Sequence, residues 1–253
     1  MSTIEPGDAK RSRANGCLVF FAAVGFLILV GFCLLPDLSH SREENDRYLC
    51  RNNLKMITLA LHAYHDEYKS FPPAYIADAN GQPMHSWRVL ILPFMEQQTL
   101  YRKYRFDEPW DGPNNRKLHE IAVREFACPS TFDRRSGEIP LTTNYVAIVG
   151  SETMWPGSTS LRLFQISDSA SETIAVAEMQ NSGIHWMEPR DLPFDRMSFR
   201  INDPETPSIS SGHHEVAQIG LADGSVRWVP DSIDPITVRA LLTAKGGERV
   251  GNF

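Results

Sequence analysis

His62 and His65 stand three residues apart in the stretch Leu59-Ala60-Leu61-His62-Ala63-Tyr64-His65, a spacing that sets two imidazoles on one face of a helix and allows a metal ion. No Glu completes a metalloprotease pair there. A zinc site would need further ligands such as His85, His185 or an Asp, and nothing in the spacing selects them. The competing reading is packing and hydrogen bonding of the helix against a sheet. His213 and Asp223 flank a second candidate, a hairpin, and an imidazole held by a carboxylate is half of many acid/base sites. Its competitor is a polar clamp on the hairpin, with Asp223 bonding its own turn. Ser210, Ser211 and Ser225 are near in sequence, but no nucleophile-elbow pattern surrounds them. Cys50 and Cys128 can form a disulfide if their Cα atoms come within about 4.4–6.8 Å. No CxxC pair, phosphate-cradling glycine loop or basic stripe occurs.

The elements that must position these residues follow from periodicity. Leu54, Ile57, Leu61, Tyr64 and Tyr68 recur at helical spacing and draw one apolar stripe over a helix from about residue 38 to 69. Phe71-Pro72-Pro73 stops it. Residues 86–104 read as a second helical stretch interrupted at Pro93, and 114–124 as a shorter third one. Between them, Asp107-Glu108-Pro109-Trp110-Asp111-Gly112-Pro113 is turn chemistry. Asn144–Val149, Thr173–Ala177, Ala217–Leu221 and Ser225–Val229 are strand-like, and Ala222-Asp223-Gly224 joins the last two as a tight hairpin. Pro235–Ala244 reads as a closing helix with Gly246-Gly247 as its stop. A helix at the front and an antiparallel sheet gathered toward the end make an α+β plan. Trp87, Trp110, Trp155, Trp186 and Trp228 are expected mainly in the core. The proline-bearing segment Met187–Asp195 is expected as a rigid surface excursion able to contact a partner.

In front of all this, Cys17 to Leu35 is a run of nineteen residues without a charge, ending at Pro36. As a helix it measures about 28 Å, close to the hydrocarbon thickness of a bilayer. Its length and its Leu34-Leu35-Pro36-Asp37 end argue against a cleaved signal peptide. Cys17 stands at the start of the run, whereas a lipidated Cys follows one. Lys10, Arg11 and Arg13 precede it and acidic residues dominate after it, which orients the N-terminus inward. The expected layout is a cytoplasmic tail at 1–16, a transmembrane helix at 17–36 that Pro36 can kink, and an exported domain at 37–253. The bilayer is then a partner through 17–35, and the protein is a single-pass protein of the cytoplasmic membrane with its domain on the outer side. Cys17 and Cys33 lie within the apolar run, so Cys50 and Cys128 are the two cysteines of the exported part. The chain has 253 residues, 31 acidic against 25 basic, for a net charge of −6 with 42% hydrophobic residues. That balance argues against wholesale disorder, a disulfide-dense scaffold and a nucleic-acid partner.

These residues also carry a resemblance. Leu34-Leu35-Pro36, Arg42-Glu43, Cys50-Arg51-Asn52-Asn53-Leu54-Lys55, the His62/His65 stretch and Phe71-Pro72-Pro73 resemble the DUF1559 family, pilin-like exported proteins expanded in planctomycete-type bacteria. The likeness continues through Ser86-Trp87-Arg88-Val89-Leu90, Glu96-Gln97-Gln98, Phe106–Trp110 and Cys128-Pro129-Ser130. It closes with a His, nine residues, then Asp-Gly: His213, Asp223 and Gly224. The resemblance implies a type IV pilin-like fold, a long N-terminal helix packed on an antiparallel sheet. It implies a non-enzymatic role in envelope structure, secretion or surface assembly, with envelope or secretion-system proteins as partners. No catalytic residue, metal or cofactor is expected. Pilins carry a Glu early in the apolar run, paired with a neighbouring subunit's amine. Here Val19 holds that place and no acidic residue occurs between Asp8 and Asp37. The helix is therefore expected to remain an uncleaved signal anchor, and a mature N-terminus at Cys17 by mass spectrometry would overturn that. The rival functions are an exported solute-binding module, a metal-dependent hydrolase and a true processed pilin, which would need cleavage and polymerisation.

Overall fold

The computed structural model describes residues 23–26, 38–132, 135–248 and 250–251, which fall in two compact units, Met1–Glu44 and Asn45–Phe253. In the first unit residues 23–26 are helical. No helix among the described residues is long and apolar enough to cross a membrane. Apart from 23–26, the anchor expected at 17–35, with Cys17, Val19 and Cys33, lies outside the described residues, as does Pro36.

Helix α1 spans Leu38–Tyr68. Its apolar stripe begins one turn earlier than Leu54: Cys50, Leu54, Ile57 and Leu61 are all buried, at spacings of 4, 3 and 4. The stripe fades at its far end, where Tyr64 is half-buried and Tyr68 is exposed, the two rings lying 4.4 Å apart. A hairpin of β1 (Tyr75–Ala77) and β2 (Pro83–Ser86) follows, too short to have left a periodic signal. The expected helical stretch 86–104 is three pieces: α2 (Trp87–Ile91), a 3-10 turn at Leu92–Met95 that takes Pro93 in its first turn, and α3 (Gln98–Lys103).

The helix expected at 114–124 is instead two 3-10 turns, Asn115–Leu118 and Arg124–Phe126, around an irregular stretch. Asn115 explains this. Its buried amide accepts from the Arg105 N–H and donates to the Arg105 and Pro109 carbonyls, so it fastens a loop rather than pointing off a helix. Glu108 adds to the same knot by accepting from the Asn114 and Asn115 N–H groups.

Strands β3 (Tyr145–Val146), β5 (Ile174–Glu178), β7 (Val216–Leu221) and β8 (Val226–Pro230) form one antiparallel sheet in the order β3-β5-β7-β8. The single strand expected over Asn144–Val149 is divided. β4 (Ile148–Val149) leaves that sheet to pair in parallel with β6 (Leu192–Pro193). The break falls at Ala147, whose N–H goes to the Asp191 carboxylate instead of to a ladder partner. Strand β7 shows why the sheet has two covered faces. Ala217, Ile219 and Leu221 join an apolar cluster with Val238, Leu241 and Leu242 of α4 (Pro235–Leu242), while alternate residues Gln218 and Gly220 face α1. Asp234 caps α4 by accepting from the Ile236 N–H, with Pro235 in the first turn. The architecture is mixed helix and antiparallel sheet, an α+β fold.

Candidate functional site

Strand β7 runs alongside α1 in the same direction. The Gln218 amide donates to the Arg47 carbonyl, Gly220 lies under Leu54 and Thr58, and the Gly224 carbonyl accepts from Lys55 Nζ at 2.7 Å and Thr58 Oγ1 at 3.2 Å. From Arg47 to His62 the helix rises about 22 Å and from Gln218 to Gly224 the strand about 20 Å, so the two elements keep step. Close approach depends on two glycines. A Cβ at Gly220 would lie 2.5 Å from Thr58 Cγ2, and one at Gly224, where φ is +83°, would lie 3.2 Å from the His62 ring.

Near the start of β7 four ligand-type side chains converge. Cys50 of α1 is joined to Cys128 by a disulfide, with Cα atoms 5.3 Å apart. Cys128 precedes a 3-10 turn (Pro129–Thr131), and its N–H donates to Asn144 Oδ1 at 2.8 Å. His213 Nε2 lies 3.6 Å from Cys128 Sγ, and Ser130 Oγ lies 3.1 Å from the same sulfur. Glu178, at the end of β5, accepts from the Gln218 N–H at 2.9 Å. The two sulfurs, a ring nitrogen of His213 and a carboxylate oxygen of Glu178 all lie within 4.8 Å of one another, and all four residues are buried. Tyr145 closes one side: its hydroxyl donates to the Cys50 carbonyl at 3.4 Å and accepts from Asn53 Nδ2. Burial lifts the Tyr145 phenol well above its usual range, and the neighbouring Glu178 charge pushes the same way against the Asn53 hydrogen bond. The phenol therefore stays protonated.

His213 and Asp223 do not meet. They stand at opposite ends of β7, whose six residues span about 20 Å. Asp223 Oδ1 accepts from the Ser225 N–H and hydroxyl, the local turn role, while His213 turns to the disulfide. His62 and His65 are not brought to a common ligand either. The His62 ring packs edge-on against Phe71 at 5.6 Å, and His65 Nε2 accepts from the Leu163 N–H at 3.3 Å. His85 pairs with the Tyr104 hydroxyl at 2.9 Å, and His185 donates to the His119 carbonyl at 3.0 Å. Of the family-motif residues on α1, Leu54 is core, Lys55 holds the Gly224 carbonyl, and Asn53 donates to the Ala127 carbonyl at 3.0 Å, next to Cys128. Asn52 is half-buried and has no hydrogen bond among those described.

The segment Met187–Asp195 reaches the surface at Arg190, Pro193 and Asp195 but is anchored from inside. Met187 and Leu192 are core, and the Asp191 carboxylate accepts from Arg88 Nη1 and Nη2, Trp87 Nε1 and the Ala147 N–H. Arg88 is fully buried and also donates to the Tyr145 carbonyl and Ser86 Oγ. Burial pushes the Asp191 carboxyl upward, and the Arg88 guanidinium opposes it. Of the tryptophans, Trp87, Trp155 and Trp186 are core, while Trp228 is 48% exposed.

Sequence reasoning named both cysteines and His213 but not Glu178, Gln218 or the Arg88–Asp191 pair. The usable signal was a charged or amide residue inside an apolar run: Glu178 ends Ile-Ala-Val-Ala-Glu, Gln218 interrupts Val-Ala-Gln-Ile, and Arg88 sits in Trp-Arg-Val-Leu-Ile.

Neither the curated proteins nor the solved structures contain a match to this chain. A family model described as a protein of unknown function (DUF1559) matches residues 39–193, from helix α1 to the end of β6 and short of His213. That is more than half of the chain, and the protein belongs to the DUF1559 family.

Proposed function

We infer that this chain is a non-enzymatic, single-pass, pilin-like protein of the cell envelope, whose α+β domain is held outside the cytoplasmic membrane for structural, secretory or surface-assembly work. The observation that carries the reading is α1. Its buried stripe of Cys50, Leu54, Ile57 and Leu61 lies over an antiparallel sheet, and its sequence continues N-terminally into the uncharged run 17–35. The disulfide between Cys50 and Cys128 supports an oxidising compartment. Cross-linking in intact membranes, followed by purification in mild detergent, tests it. Adducts with envelope or secretion-system proteins, or with further copies of this chain, are expected. A chain that partitions to the soluble fraction without adducts would refute the reading.

One observation favours a second reading, solute binding. A cavity of about 590 Å³ is lined by Ser151, Glu152, Thr159, Ser160, Arg239 and Lys245, a mixed-charge wall suited to a small polar molecule. A rise in melting temperature with one class of small polar solute would support this reading. The hydrolase reading needs three His, Asp or Glu ligands about one point, whereas His62 and His65 both pack on Phe71, His85 bonds the Tyr104 hydroxyl and His185 bonds the His119 carbonyl.

A further inference from the structure

We propose that Cys50, Cys128, His213 and Glu178 form an oxidation-gated centre for a zinc-class divalent cation, closed to metal while the disulfide is intact and opened when a dithiol reduces it. The donor set is two sulfurs, an imidazole nitrogen and a carboxylate oxygen, the types that zinc takes. They come from α1, the turn after residue 127, the loop before β7 and the end of β5, so separate parts of the fold aim them at one point.

The distances fit. With metal–sulfur bonds of about 2.3 Å and metal–nitrogen bonds of about 2.0–2.1 Å, a tetrahedral centre sets sulfur and nitrogen about 3.6 Å apart. His213 Nε2 lies 3.6 Å from Cys128 Sγ. Two sulfurs on the same ion lie about 3.8 Å apart, so the cysteines must separate, and rotation about their Cα–Cβ bonds supplies the movement. Supporting contacts are already in place. Ser130 Oγ sits 3.1 Å from Cys128 Sγ and can donate to a thiolate, the Asn144 side chain holds the Cys128 N–H, and the Gln218 N–H fixes Glu178.

The chemistry balances. The dithiol gives two electrons and two protons to the Cys50–Cys128 bond, which becomes two thiols while the dithiol closes to a cyclic disulfide. The divalent cation then replaces both thiol protons, which pass to solvent, and binds neutral His213 and ionised Glu178. A small-molecule disulfide reverses the sequence by thiol–disulfide exchange: it takes the two electrons and is itself reduced to two thiols, the Cys50–Cys128 bond re-forms, and the ion is released.

Cobalt(II) is the probe, added to full-length protein in mild detergent after anaerobic reduction and removal of the dithiol. The expected result is one cobalt per chain with the intense visible bands of tetrahedral thiolate coordination, and no bands in the oxidised protein. Glu178→Gln and His213→Ala should each weaken binding by at least the roughly tenfold that even outer-shell partners contribute. Far-UV circular dichroism of each oxidised variant reports whether the fold survives substitution. Four results would overturn the proposal: a folded reduced chain without bands, bands in the oxidised chain, bands unchanged by both substitutions in folded variants, or a reduced chain that unfolds and is not refolded by cobalt.

Discussion

Replacing Asp191 by Ala should be among the most damaging single changes in this fold. The carboxylate accepts from two guanidinium nitrogens of Arg88, from the Trp87 indole and from the Ala147 N–H, inside a region where Arg88 is 0% exposed. Its removal leaves a buried guanidinium with hydrogen bonds to the Tyr145 carbonyl and Ser86 hydroxyl and the Trp87 ring 4.8 Å away, but no counter-charge among these contacts. Breaking a buried pair from one side costs about 3–5 kcal/mol, because a charge is left uncompensated. For a domain of this size each kcal/mol moves the melting temperature by roughly 2–4 °C, so a fall of about 6–20 °C is expected. Circular dichroism melting measures it, with a urea titration to check that the midpoint moves at constant slope. The double replacement Arg88→Met with Asp191→Leu removes both charges and should recover much of the loss. A fall below about 2 °C for Asp191→Ala, or a double variant as unstable as the sum of two singles, would refute the account of this pair as a coupled charge centre.

Gly220→Ala places a Cβ 2.5 Å from Thr58 Cγ2 and should cost about 1–3 kcal/mol as helix and sheet are pushed apart. Thr58→Ser removes that methyl, keeps the hydroxyl for the Gly224 carbonyl, and should restore stability in the same background; absence of rescue in a urea titration would count against the close-approach argument. Reducing the disulfide in metal-free buffer opens a loop with a sequence separation of 78, for which chain entropy gives about 4.5 kcal/mol. A midpoint shift worth less than about 1 kcal/mol would contradict it. Burial holds the imidazoles of His85 and His185 below their ordinary pKa, against the opposing pull of hydrogen bonds to the Phe106 and His119 carbonyls. The unfolded chain therefore binds protons first: stability is full above about pH 6.5 and falls as pH drops from there through the lowered folded values. Melting temperatures followed from about pH 7 to pH 5 should show that slope, and His85→Gln with His185→Gln should flatten it; a slope unchanged in the double variant would refute the assignment.

The parts of the fold legible in the sequence are those whose burial repeats at a fixed period. Leu54, Ile57 and Leu61 mark α1, and Ala217, Ile219 and Leu221 mark one face of β7, because each element packs one side on the core. Periodicity fails where a single polar group redirects the chain. Asn115 turns a helical-looking run into 3-10 turns, and Asp191 takes the Ala147 N–H and splits an apolar run between two sheets. Proline in Met187–Asp195 suggested a surface loop, but the carboxylate beside it is what the interior required to hold Arg88.

The spacing of the closing signature shows the same limit and what lies beyond it. His213 and Asp223 stand ten residues apart, which in sequence suggests two side chains meeting across a hairpin. The intervening chain is mostly the strand β7, so the spacing measures a length and not a contact. At one end His213 lies against the disulfide that fastens Cys50 of α1; at the other, Asp223 shapes the turn that offers the Gly224 carbonyl to Lys55 and Thr58 of the same helix. The strand is thus tied to α1 at both ends and through Gln218 to the Arg47 carbonyl between them, and Gly220 lets the backbones close. A residue inserted within β7 would shift one tie relative to the other and turn the residues on one side of it to the opposite face, taking some of Ala217, Ile219 and Leu221 away from α4. The signature is a ruler for seating the sheet on the helix, with its His and its Asp at the two ends of one strand.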